Sequence, residues 1–248
     1  MGHSSSITVR SRDLIVPSTW EGSGDEIHDN DLHAREHGLR GRLVSGSGMV
    51  ALVCAALKDA RSLLAPQHFS WRFESPIYCG DVCEIEARGT DPAMVRISRD
   101  GLPCGGGTIS WVADTAGKKK PEEFDGRAGG RTLTDGDVEL FGWWMHSPLP
   151  HTPEGTVPWP LVVLISSGAV GRYPIARGGS SLVLRSYEWW FIKEAGVGET
   201  LEIFVHGVRD RPSQSRPGRR TWVGGVAVQT AEGDLVADSE WVMVYENG

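Results

Sequence analysis

The 248-residue chain is acidic, with a formal net charge of −7, and is 40% hydrophobic and 23% charged. That balance fits an ordinary globular protein and argues against general nucleic-acid binding, which needs a basic surface to neutralise phosphates. No stretch approaches the roughly 18 consecutive apolar residues of a membrane span, and MGHSSSITVR lacks the basic and apolar regions of a secretory leader, so no membrane association and a cytoplasmic setting are expected, with residues 1–5 reading as an appended tail.

In chain order, residues 7–16 read as an opening extended segment, and a Gly/Ser-rich loop over 21–24 leads to His28. Asp29 is the expected N-cap of a short helix through Leu32, Ala34 and His37, which Gly38 ends. Residues 49–64 are apolar on nearly every side over their first half, a pattern that predicts an enclosed helix rather than a surface one. Strands are predicted over 69–75, 82–88, 94–98 and 107–112, with Asp100-Gly101 as a tight turn. Residues 115–130 are polar, Gly-rich and without periodicity, which is the composition of a linker, and the lysines at 118–120 read as a solvated run.

After the linker the pattern returns. An opening segment over 132–140 and a loop through His151 lead to an apolar helix from about Pro160 to Tyr173, then to strands near 182–192, 200–209, 220–230 and 235–245. Trp71-Arg72-Phe73 with Gly80-Asp81 matches Trp189-Trp190-Phe191 with Gly198-Glu199, each pair of positions 118 apart. An offset that large marks two copies of a whole domain. The expected organisation is an α+β tandem: an N-terminal half over 1–114, a linker over 115–130 and a C-terminal half over 131–248, the halves packing as a pseudo-dimer.

Several residue clusters admit a structural and a chemical reading. Cys54, Cys79, Cys83 and Cys104 show no CxxC pairing and read as free thiols, with Cys79 and Cys83 on one strand face. His33 and His37 share a helix face without a third ligand nearby, so no metal site is expected. Ser166-Ser167-Gly168 lacks a nucleophile elbow and reads as a close-packing site. Trp143, Trp144 and Trp159 suit either a core or the wall of an apolar substrate pocket. Arg209, Arg211, Arg216, Arg219 and Arg220 suit a solvated hairpin or a local anion site, with Arg219 and Arg220 as the expected phosphate ligands.

Arg131-Thr132-Leu133-Thr134, Asp137-Val138 and Phe141, followed by Pro150-His151-Thr152, resemble the RT(V/T)T-x-x-D-(I/V)-x-x-F segment and the following histidine of the MaoC-like, R-specific enoyl-thioester hydratases and dehydratases. A buried helix and a curved antiparallel sheet, present twice, are similar to the double hot-dog fold of that family. The resemblance implies a divergent hydratase or dehydratase acting on an acyl-thioester or polyketide-like intermediate. His151 is then the acid/base, with His28 as the alternative in the first half. Where the family carries an aspartate five positions before its histidine, this chain has His146, and the corresponding place in the first half is Ser23. A carboxylate partner would come from Asp25, Asp29, Asp31 or Glu154.

Ser45-Gly46 takes the place of the family's His-Gly pair, so backbone amides at Gly46 or after Pro160 are the expected oxyanion donors. No cofactor is implied beyond a substrate carried on coenzyme A or on the phosphopantetheine of an acyl carrier protein, and a homodimer is the expected assembly. The same duplicated fold also supports a thioesterase, or a repurposed protein that cyclises, isomerises or only binds its ligand.

Overall fold

Alternating apolar residues in the strands and two largely apolar helices combine into one ten-stranded antiparallel sheet with the helices on its inner face. A computed structural model describes residues 2–22, 26–57, 65–112, 121–145, 155–175, 179–213 and 218–247. The first half contains β1 (Gly2–Thr8), α1 (Arg12–Glu21), α2 (Asp31–Glu36), α3 (Gly46–Leu57), β2 (His68–Phe73), β3 (Val82–Arg88), β4 (Ala93–Arg99) and β5 (Leu102–Ser110). The second contains β6 (Gly126–Thr132), α4 (Asp135–Trp144), α5 (Trp159–Ile175), β7 (Gly179–Phe191), β8 (Thr200–Pro212), β9 (Arg219–Thr230) and β10 (Leu235–Asn247).

The strand order is β1-β3-β4-β5-β2-β7-β10-β9-β8-β6, so the second half repeats the order of the first in reverse about the β2–β7 seam. Small contacts repeat as well. The Tyr78 amide donates to Asp81 at 2.9 Å, and the Gly196 amide donates to Glu199 at 3.0 Å. Gly80 and Gly198 both take left-handed backbone angles in the turns that precede β3 and β8. The 118-residue offset therefore records one turn built twice.

Val50, Ala51 and Val53 of α3 and Leu161, Val163 and Leu164 of α5 are buried in a core shared by both halves. Asp100 and Gly101 both lie at positive φ (51° and 74°), which joins β4 to β5 by a two-residue hairpin turn. Three of the four cysteines are buried free thiols, and burial pushes Cys83 up to about 12.

Several expectations change. Residues 7–16 are not one extended segment: β1 ends at Thr8, and Arg12–Glu21 is a helix. Residues 2–5 belong to the sheet, because β1 pairs along its length with β3 and forms the sheet edge. Asn30, not Asp29, caps α2, its side chain accepting from the Leu32 and His33 amides. Cys79 is exposed in the turn before β3 rather than sharing a strand face with the buried Cys83. Residues 126–130, read as linker from their glycines, belong to β6, whose pairing with β8 does not depend on apolar side chains.

Candidate functional site

The start of α3 gathers three buried polar side chains, Glu21, Ser45 and Ser47. Ser45 accepts the Gly48 amide at 3.0 Å, the contact of a helix N-cap. The same hydroxyl donates to Oε1 of Glu21 at 2.6 Å, and the Ser47 hydroxyl donates to the same oxygen. Glu21 is only 3% exposed. It ends α1, where Gly22 turns the chain away in a left-handed conformation. From the other side, Gly168 of α5 lies so close to the Glu21 carbonyl that a methyl group there would collide with it. That contact fixes the end of α1 and aims the carboxylate at the positive end of the α3 dipole.

Of the first amides of α3, Gly48 and Met49 bond to the Ser45 hydroxyl and carbonyl. Those of Gly46 and Ser47 have no intrahelical partner and suit a substrate carbonyl. The Cα of Gly46 lies beneath Phe73 and Leu184, both half-buried, where any larger residue would press on them.

His28, in a 3-10 turn over Glu26–His28, places Nδ1 2.9 Å from the Leu43 carbonyl. A carbonyl can only accept, so Nδ1 carries a hydrogen and Nε2 is the ring atom left to exchange a proton with a ligand. Leu43 itself forms a bridge with Tyr78, and the Val44 amide donates to the Ile77 carbonyl at 2.8 Å. One short segment thus anchors the His28 ring and delivers Ser45 to the helix start.

The second half builds a different helix start. Prolines occupy positions 158 and 160, so two amides that could face a ligand are missing. Between them Trp159 is 1% exposed and packs on Phe69 and Phe191 at centroid distances of 5.0 and 5.6 Å. Trp144 is the counterpart of Trp20, so buried Met145 follows it where Glu21 follows Trp20. Among the described residues, the polar helix start belongs to the first half.

The residues singled out in the sequence separate accordingly. Ser45, Gly46 and His28 lie at or beside the start of α3. His151, His146 and Asp25 lie outside the described residues. Trp159 is core. Trp144 is buried and donates to Asp13 at 3.0 Å, whereas Trp143 is 60% exposed on the other side of α4. Arg220 sits on β9, its guanidinium bonded to the Asp210 side chain (2.9 Å) and carbonyl (3.2 Å), and Arg219 begins the same strand.

The family-like motif has a structural explanation: Thr134 and Asp137 form the capping box of α4, and Asp137 also accepts from Arg131 (2.8 Å) and from the Trp20 indole (3.0 Å). Ser166 donates back to the Val162 carbonyl at 2.7 Å, and with Gly168 it packs the helix rather than offering a nucleophile. The sequence reading missed Glu21. The available signal was a carboxylate two positions before Ser23, hidden because its helix reads as a strand and a loop.

No family model matches the sequence, and no curated protein matches it. Solved structures do match over nearly the whole chain. A protein of Chloroflexus aurantiacus described as a MaoC domain dehydratase aligns with TM-score 0.73 at 10% identity, covering 100% of this chain and 96% of its own. A double hot-dog protein of Mycobacterium tuberculosis aligns with TM-score 0.71 at 12% identity, covering 98% and 96%. A protein of Lactobacillus plantarum described as an oleoyl thioesterase aligns with TM-score 0.61 at 10% identity, covering 100% and 97%. The chain has the double hot-dog fold that MaoC-like dehydratases share, on a sequence far diverged from theirs.

Proposed function

We propose that the protein acts on acyl thioesters as a hydratase or dehydratase, using the α3 helix start of its first half. The observation that carries this reading is the buried Glu21 carboxylate bonded by Ser45 and Ser47 at a helix end whose Gly46 and Ser47 amides suit a carbonyl. In hydration, a base takes a proton from water as its oxygen bonds to C3, an acid delivers a proton to C2, and the amides hold the enolate oxygen that forms in between. Glu21 is assigned the base and His28 the acid, exchanging roles in dehydration. The Asp25, His146 and His151 segments are the alternative source of these groups. Coenzyme A or a carrier-protein phosphopantetheine would present the acyl group, with Arg219 as an expected phosphate contact.

The test uses crotonyl-CoA and 3-hydroxybutyryl-CoA. Loss or gain of the enoyl absorbance without free thiol is the expected result for the wild type. Glu21→Gln and His28→Ala should each lower kcat by about 10²–10⁴-fold, the range for removal of a general acid or base, with thermal stability nearly unchanged. Full activity in both variants, with loss in His151→Ala, would move the acid/base out of the first half. A second reading, thioesterase, rests on the same helix end, because a carboxylate-activated water beside a polarised carbonyl is sufficient for hydrolysis. Thiol release in the same assay would favour it. Neither reaction, with any acyl-CoA, would leave ligand binding or an isomerisation as the function of the fold.

A further inference from the structure

We propose that the Tyr187 hydroxyl is the donor that binds an oxygen at C3 of the acyl chain at this site, selecting 3-hydroxyacyl and 3-ketoacyl thioesters over saturated ones. The proposal rests on the acyl-thioester reading above. Tyr187 lies on β7 and is 2% exposed, and its hydroxyl has no hydrogen-bond partner among the described residues. A buried phenol normally has one, so the orphan marks a place for an acceptor.

The position of the ring is fixed. It meets Phe73 edge-on at 5.2 Å, with Trp241 at 5.3 Å and Phe69 at 5.7 Å, and the tip of Phe73 lies against Gly46 at the helix start. Burial holds the phenol well above its ordinary pKa, and the Cys54 sulfur and the Glu21 carboxylate both act in that direction. Tyr187 therefore lies behind Phe73, inward of the helix start, where the chain beyond a carbonyl held by Gly46 and Ser47 would run.

The chemistry of the acceptor follows. A phenol kept protonated has a hydrogen to offer, and the buried Glu21 carboxylate at the helix start disfavours a second anion, so the matching group is an uncharged hydroxyl or keto oxygen. The Trp71 and Trp189 indoles, also without partners among the described residues, carry the same inner face on either side. Tyr187 is the one of the three whose ring meets Phe73, the side chain that lies against Gly46.

Tyr187→Phe keeps the ring and removes the donor. Butyryl-CoA and 3-hydroxybutyryl-CoA are titrated against tryptophan fluorescence in a stopped-flow instrument, read before turnover. The wild type should prefer the hydroxylated chain by about tenfold, the value of one hydrogen bond in a buried site. Tyr187→Phe should lose that preference, bind butyryl-CoA as the wild type does, and melt at the same temperature or higher. An unchanged preference in the variant overturns the proposal and leaves the acyl-thioester reading intact. A variant that fails to fold, or that melts several degrees lower and loses butyryl-CoA as well, assigns the hydroxyl an internal structural bond and also overturns it. A wild type that binds neither thioester overturns the acyl-thioester reading, and this proposal falls with it.

Discussion

Asp137 accepts from four groups: the Thr134 amide and hydroxyl, the Arg131 guanidinium and the Trp20 indole. Burial opposes its ionisation, but the Thr134 bonds, the Trp20 indole and the Arg131 charge outweigh burial and hold its carboxyl below the ordinary value of 3.8. Asp81 behaves alike: the Tyr78 amide, Arg99 and Arg40 outweigh its burial. A carboxyl with a lowered folded-state pKa adds stability that is fully present above the unfolded value and is lost as the pH falls through the folded one. Stability should therefore decline below about pH 4, and Asp137→Asn should flatten part of that decline. At neutral pH, Asp137→Ala removes a helix cap and strands a buried indole, a cost of about 2–3 kcal/mol. Urea unfolding at pH 7 and pH 3 checks both. An Asp137→Asn protein with the acid profile of the wild type would show that this carboxylate has no such role.

At the scale of elements, α1 and α4 exchange equivalent bonds across the boundary between the halves. The Trp20 indole donates to Asp137 and the Trp144 indole donates to Asp13, both at 3.0 Å, with the two ring centroids 6.3 Å apart. Trp20→Phe and Trp144→Phe should each cost roughly 1 kcal/mol, and because the rings touch, the double variant should depart from additivity by at least about 0.5 kcal/mol. A strictly additive double-mutant cycle would show that the two bonds act independently. The exchange was not legible in the sequence because α1 was not. Its sequence, RDLIVPSTWE, sets Ile15, Val16 and Pro17 in the middle of the helix and gives no helical stripe. Apart from β1 and β6, the strands were legible to within about five residues, since alternation and turn pairs such as Asp100-Gly101 are local. Glu21 was not, because the contact that aims it comes from Gly168, remote in sequence.

For the whole molecule, the seam follows a two-fold rule. In the β2–β7 ladder Phe69 faces Trp189, Ser70 faces Glu188 and Trp71 faces Tyr187. With residues 118 apart treated as equivalent, Phe69 corresponds to Tyr187 and Trp71 to Trp189, so the two outer pairs exchange and Ser70–Glu188 maps onto itself on the axis. The crossed tryptophan–aspartate bonds repeat the same two-fold pattern at an offset of 124 (144 − 20 = 137 − 13), and the pattern is that of an isologous dimer interface fused into one chain. Half of such a chain keeps a self-complementary edge. A fragment of residues 121–248 should accordingly form a homodimer by pairing β7 with the β7 of a second copy, burying its seam aromatics. On the axis, however, Glu188 would then face Glu188, and like charges directly opposed weaken a strand pair. Glu188→Ser, which restores the residue that Ser70 supplies in the full chain, should tighten the fragment dimer at neutral pH. Sedimentation velocity at several concentrations, with and without the substitution, measures both effects. A folded fragment that stays monomeric at high concentration would show that the seam depends on differences between the halves rather than on the symmetry they retain.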